Sequence, residues 1–333
     1  MKLRTFLQLI RIQNLPTAVA DALAGFFIAN AGQEFEVEHG RALAVAALAS
    51  ACLYSGGMAN NDAQHAHKDQ MLGKPRPIVR GEVSLGEAHW NSVVLMIAGI
   101  LAAYSAAGKP GFLIGGIIAI FCLTYNRLAR GSVGSDGYIR PSVIANASGA
   151  VLLAFCRALN VWLGMVAAIA VRNEFQNNFA SLMGNVDPAA WVALGVVFLY
   201  FLTVIGVSLL EDFGGGTSGL KALAVSSGLV VIAAPLAVDY AGGGENFITP
   251  EASHVVALAL SLALLMLLMK RFRNAIRDPR PPVIGQVVRW GIIGEPLLLG
   301  AMVLMATGSL VQGLGIAVLT LTCLALARLS HST

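Results

Sequence analysis

The sequence predicts an all-α membrane protein, a bundle of nine or ten transmembrane helices in two pseudo-equivalent halves. Three observations predict it. Of 333 residues, 56% are hydrophobic and only 12% are charged, where soluble domains carry about 25% charged residues. Mean hydropathy is +0.73. The apolar residues also gather into runs of about 20, long enough to cross a bilayer as helices that satisfy their own backbone hydrogen bonds.

The runs follow in order. Run 15–32 comes after a basic start at Lys2, Arg4 and Arg11 and is entered at Pro16. Arg11, Asn14 and Asp21 interrupt what would be a signal-peptide core, so this span is expected to be retained. Run 41–60 is rich in alanine and stops at Asn61. Runs 89–108 and 110–126 are separated by Lys109. Run 142–171 contains Arg157 and Asn160. Run 188–210 begins at Pro188 and closes on Glu211 and Asp212, and run 219–240 follows three glycines at 214–216. Run 252–269 ends in Lys270, Arg271 and Arg273. Runs 289–307 and 310–327 share a weak break at Gly308 and Ser309, which is why nine spans is the alternative count. No stretch between runs is long enough for another folded domain, so residues 1–333 read as one polytopic membrane domain. Spans two and six each end in an acidic segment with four spans between them, the repetition that suggests two halves.

Charge placement fixes orientation independently, because short cytoplasmic loops carry excess Lys and Arg. With the N-terminus inside, 18 of 22 cations are cytoplasmic, only Arg41, Lys109 and Arg172 lie opposite, and Arg157 sits within a span. The expected location is the plasma or inner membrane, multi-pass, with the N-terminus and the site-bearing loops in the cytoplasm. The net charge of +4 then reflects orientation and contact with anionic membrane lipids, and no nucleic acid is expected as a partner. Cys52, Cys122, Cys156 and Cys323 show no paired spacing and read as reduced packing residues.

Chemistry concentrates at Asn61–Asp69, directly after an apolar run. In a helix, Asp62, His65 and Asp69 fall at i, i+3 and i+7, with Asn61 beside His65, so one face carries all four. Two carboxylates about 10 Å apart cannot both ligate one small ion directly, but they can flank a metal-bound diphosphate. Magnesium suits this, since it takes one or two carboxylates and completes its shell with phosphate oxygens and water. Lys74, Arg76 and Arg80 follow at once, with Pro75 and Pro77 stiffening the loop that aims them at a phosphate. Plainer readings stand beside these: Asn61, Asp62 and Asp69 are good helix-capping types, and the three cations also serve orientation. Arg157 and Asn160 lie one turn apart deep in a span, where either an ion pair with Asp21 or Glu295 or a substrate contact accounts for the charge. The glycines at 214–216 suit a turn or a backbone phosphate nest. His67 and His89 lie off the proposed face.

The segment Asn61, Asp62, His65, Asp69 followed by Lys74-Pro75-Arg76-Pro77 resembles the first motif of the UbiA superfamily of intramembrane prenyltransferases, with His65 in place of the middle aspartate. Arg11 and Asn14 resemble the start of that family's first span, and Tyr125, Arg127 and Arg130 match a tyrosine with basic neighbours after its fourth. The second motif is half present: Gly219–Val225 keeps its tail, while Glu211 and Gly215 occupy aspartate positions and Asp212 is out of register. Residues 15–21 and 156–165 look like the EboC-type branch.

The resemblance implies Mg²⁺-dependent transfer of a prenyl group from a polyprenyl diphosphate to an aromatic or lipid acceptor. By it, Asp62 and Asp69 hold Mg²⁺, Glu211 and Asp212 hold a second ion, and Asn61 and His65 complete the catalytic group. Lys74, Arg76, Arg80, Asn14, Tyr125, Arg130, Arg157, Asn160 and Lys221 are the implied substrate contacts. The depleted second motif leaves an alternative, a non-catalytic carrier that binds prenyl lipid or an aromatic precursor. A CDP-alcohol phosphotransferase is excluded, because Asp136-Gly137 stands without the rest of its acidic array.

Overall fold

A computed structural model describes residues 1–71, 73–128, 132–133, 139–140, 143–172, 186–213, 216–244 and 251–331; the side chains of 132–133, 139–140, 143–146, 211–213 and 329–331 also fall outside the description. Its helices are α1 (Leu3–Leu9), α2 (Leu15–Ala29), α3 (Val37–Met71), α4 (Leu85–Leu128), α5 (Val143–Val171) and α6 (Pro188–Phe213) in the first part of the chain. Then come α7 (Thr217–Ala241), α8 (Ala252–Arg277), α9 (Pro281–Thr307), α10 (Leu310–Ala317) and α11 (Leu319–His331). A two-residue antiparallel ladder, Ser132–Val133 with Ile139–Arg140, joins α4 to α5.

Among the described residues nine helices are long and apolar enough to cross a membrane, the last formed by α10 and α11 together. The ten runs fit into nine because α4 contains two of them. Its backbone leaves helical geometry at Ala107 and at Gly108, whose φ of 60° suits glycine. Gly115 packs on Ile100 and Gly111 on the Ala103 carbonyl, contacts that a straight helix cannot make, so segments 85–106 and 109–128 form an antiparallel hairpin. The rings of Tyr104 and Phe112 close it edge to face at 6.4 Å. A second turn separates α9 from α10, where Gly308 adopts φ 65° and the Ser309 hydroxyl accepts from the Gln312 amide.

Without a hydrophobic force between helices in lipid, close packing of small residues and interhelical hydrogen bonds hold the bundle. The tightest crossing is α2 on α5. A Cβ added at Gly25 would lie 1.9 Å from the Val161 carbonyl oxygen, and one at Gly164 the same distance from that of Ala22. Hydroxyls add direction: Ser50 donates to the Ala18 carbonyl at 2.6 Å, Tyr200 to that of Gly291 at 2.7 Å, and Ser227 to Thr203 Oγ1 at 3.0 Å. Large exposed side chains such as Val93, Ile97, Leu101, Val225 and Leu229 lie on the outer faces of α4 and α7, where lipid would meet them.

Candidate active site

The 35 residues of α3 form one helix that runs about 52 Å and carries the acidic segment as its last turns. The expected face is realised: Asp62, His65 and Asp69 are buried, Asn61 is half-buried beside them, and His67 is exposed. Asp62 Oδ1 accepts from Arg11 at 2.8 Å, and the same guanidinium nitrogen donates to Asn61 Oδ1 at 3.0 Å. Asn61 in turn donates to Asn126 at 3.0 Å, and Asn126 to the Gly57 carbonyl at 3.2 Å. This chain fixes α3 against the end of α4. Arg11 reaches it from the break between α1 and α2 with φ 51°, among the described residues the only non-glycine with positive φ.

Asp69 faces the loop that follows, 3.8 Å from Lys74 Nζ and 3.9 Å from Arg76 Nε. These are ion contacts rather than hydrogen bonds, so neither cation saturates the carboxylate. Asp62 Oδ2 is buried with no hydrogen-bond partner. An orphaned carboxylate oxygen and a second loosely held carboxylate, all hard oxygen donors, fit a divalent cation such as Mg²⁺. The electrostatics point the same way. Burial opposes the charge of Arg11, but the Asp62 carboxylate and its hydrogen bond outweigh it and raise the guanidinium pKa. At Arg76 the positive charge of Arg11, with burial, lowers the pKa. Two guanidinium groups near enough for their charges to oppose each other favour an anion of higher charge between them.

Two spaces lie beside these groups. An open basin of about 1160 Å³ lies between α1 and loop 74–82, walled by Lys2, Arg4, Lys74, Arg76 and Arg80. A narrower cavity of about 230 Å³ runs inward from Arg11, Asn14 and Asn61, past Ile118 and Phe201, to Arg157 and Asn160. Tyr125 lines it as well.

Not every expected residue joins. Arg80 is engaged elsewhere, donating to Glu82 Oε1 at 2.7 Å, to Gln8 at 2.6 Å and to the Pro75 carbonyl, and so ties α1 to the loop. Lys221 is exposed early in α7 and lines neither space. Arg157 pairs with both buried carboxylates that the sequence offered, Asp21 Oδ2 at 3.0 Å and Glu295, and also lines the cavity. The side chains of Glu211 and Asp212, and all of Arg130, lie outside the described residues; within those residues no three acidic, His or Cys groups converge as a metal cluster. Two members carried no assigned role in the sequence. Arg11 stands out in the sequence only as half of a first-span pattern, and Asn126 is not singled out by it at all. The cysteines also hold a surprise: Cys122 and Cys156 touch, Sγ to Sγ at 3.7 Å, although they are 34 positions apart in the chain.

The profile of the UbiA prenyltransferase family matches residues 18–282. The chain belongs to that family. It is an enzyme of the prenyl-transferring kind, built as a multi-pass membrane protein. Digeranylgeranylglyceryl phosphate synthase of Saccharolobus solfataricus is 25% identical over 232 residues, 69% of this chain and 71% of that protein. Its namesake from Hyperthermus butylicus is 29% identical over 233 residues, 68% of each. The solved apo structure of a UbiA homologue from Aeropyrum pernix K1 shares the fold with a TM-score of 0.62 at 17% identity, covering 88% of this chain and 98% of that one. None of these relatives carries the name of the EboC-type branch.

Proposed function

We propose that this chain transfers a prenyl group from a prenyl diphosphate to a hydroxyl-bearing or aromatic acceptor, with the diphosphate seated where α3, Arg11 and loop 74–82 meet. The observation that carries this reading is the charge arrangement: Asp62 and Asp69 beside Arg11, Lys74 and Arg76, at the mouth of an apolar cavity.

The chain's own groups divide the work. Lys74, Arg76 and Arg11 bind diphosphate oxygens and meet the negative charge that grows as the allylic C–O bond breaks and its electron pair leaves with the diphosphate. Asn61 holds Arg11 in place. Ile118, Phe201 and Ile292 line the cavity and keep water from the electron-poor prenyl carbon. Asp62 and Asp69 would hold Mg²⁺, which when bound supplies further charge stabilisation to the leaving group. Glu211 and Asp212, at the end of α6, are the groups we assign to a second ion. His65 sits on the same buried face but brings nitrogen, a poor match for magnesium, so its place is that of a hydrogen-bonding neighbour. The names of the relatives make a glycerophosphate lipid one acceptor to test.

The test is diphosphate release by the purified protein in nanodiscs, offered geranyl to long-chain prenyl diphosphates and a mixed acceptor set. Release should require Mg²⁺, vanish with EDTA, return on readdition, and fall at least about a hundredfold in Asp69→Asn. Asp69 is the cleaner site, because removing Asp62 would also strand the Arg11 charge. Undiminished release by Asp69→Asn would refute the assignment. Saturable prenyl diphosphate binding without any release would instead make the chain a carrier.

A further inference from the structure

We infer that the inner end of the cavity is a subsite for an uncharged hydroxyl, that of an alcohol or phenol, and that it excludes carboxylate and phosphate. The inference rests on the prenyl-transfer reading and adds the acceptor class to it. Asn160 is 4% exposed, lines the cavity, and its Oδ1 has no hydrogen-bond partner. Arg157, one turn before it on α5, also lines the cavity, and its buried Nε is likewise without a partner. An open acceptor and an open donor this close in sequence match a hydroxyl, which both donates and accepts. A bare apolar wall would suit a prenyl tail; leaving two buried polar atoms unmet would not.

The charge count supplies the selectivity. Arg157 alone would recruit an anion, but its Nη2 already faces Asp21 at 3.0 Å and Glu295, and its guanidinium stacks 4.7 Å from the centre of the Phe201 ring. One guanidinium facing two carboxylates carries no net positive charge, whether or not one of them holds a proton. An incoming carboxylate or phosphate therefore meets no net cation and at least one like charge behind Arg157, in a medium that screens weakly. A neutral hydroxyl meets only the two open hydrogen-bonding atoms. The size agrees, since about 230 Å³ admits a small ring or a short chain. Anionic groups of an acceptor stay outside, in the basin walled by Lys2, Arg4 and Lys74.

The experiment is calorimetric titration of the protein in nanodiscs with phenol and, separately, benzoate, with empty nanodiscs subtracted and geranyl diphosphate with Mg²⁺ titrated on the same samples. Phenol should bind at least about tenfold more tightly than benzoate, and Asn160→Leu should weaken phenol by about tenfold, while Asn160→Gln recovers part of the loss. Glu295→Gln removes one negative charge behind Arg157 and should narrow the gap by strengthening benzoate, a gain that mere loss of folding cannot imitate. Absent phenol binding, equal affinity for the two probes, or an Asn160→Leu protein that binds phenol normally overturns the inference. If Glu295→Gln does not fold, the Asn160 variants decide alone. Loss of the geranyl diphosphate isotherm would strike the proposed function and leave the phenol comparison standing on its own.

Discussion

Gly164→Ala should be among the most damaging single-methyl additions in the protein. Its new Cβ would lie 1.9 Å from the Ala22 carbonyl oxygen, 2.8 Å from that carbonyl carbon and 2.9 Å from the Phe26 nitrogen. All three are backbone atoms of α2, so no rotamer change relieves the clash. Ordinary Cβ contact begins at 3.4 Å, so the helices must part by 1.5 Å, the difference between 3.4 and 1.9. Asp21, next to Ala22, would be drawn from Arg157 by a comparable amount, and their 3.0 Å contact would open. Overpacking of this kind costs about 1–3 kcal/mol, and a backbone-to-backbone clash belongs at about 3. For a chain of this size that corresponds to a drop of roughly 5 °C in Tm, measured by thermal unfolding in nanodiscs. Gly195→Ala is the control: nothing lies within 4 Å of its added Cβ, and it sits inside α6. Its Tm should hold or rise, because alanine is the better helix former by about 1 kcal/mol. A Gly164→Ala protein within 1 °C of wild type, on the order of thermal noise, would refute the packing argument.

Two further outcomes follow from polar contacts. The hydrogen bond from Arg80 holds the Glu82 pKa below its ordinary value, aided by a 3.3 Å bond from Thr5 on α1. A lowered carboxyl pKa stabilises above the unfolded value, about 4.3, and that stabilisation fades as pH falls through the folded value; the protection of amides 3–9, taken relative to their intrinsic exchange rates at each pH, should fall with acid in wild type and lose that dependence in Glu82→Gln. Tyr200→Phe removes the bond to the Gly291 carbonyl and should cost about 0.6–1.7 kcal/mol in denaturant unfolding within a bilayer mimic, with a null effect counting against α6–α9 anchoring there.

Much of this fold can be read from its sequence because the information is local. Each span announces itself through some 20 apolar residues, and the α4 hairpin through Lys109 between two runs. The face carrying Asp62, His65 and Asp69 is legible for the same reason, since helical periodicity alone brings i, i+3 and i+7 together. What sequence does not reveal is which distant group answers each charge. Arg11 meets Asp62 across 51 positions and Arg157 meets Glu295 across 138, pairings decided by how helices cross. Arg80 illustrates the converse: its neighbours Lys74 and Arg76 turn toward Asp69, while it turns to Gln8 on a helix that periodicity barely marks. Asp21 and Glu295 were legible as candidates for Arg157, but that both would be used, making the cluster neutral or anionic, was not.

The length of α3 separates two solvents. A hydrocarbon core of about 30 Å leaves roughly 20 Å of this helix outside it. Residues 37–59 suffice for the crossing, which would leave the dozen residues from Asn60 to Met71, with both carboxylates, as the protruding end. Ion and diphosphate can then keep water on one side while the reacting hydrocarbon stays in oil on the other. In the proposed reaction the products would sort by partition: the released diphosphate into the aqueous phase and the lengthened lipid into the bilayer, neither having to cross the phase boundary that the other occupies.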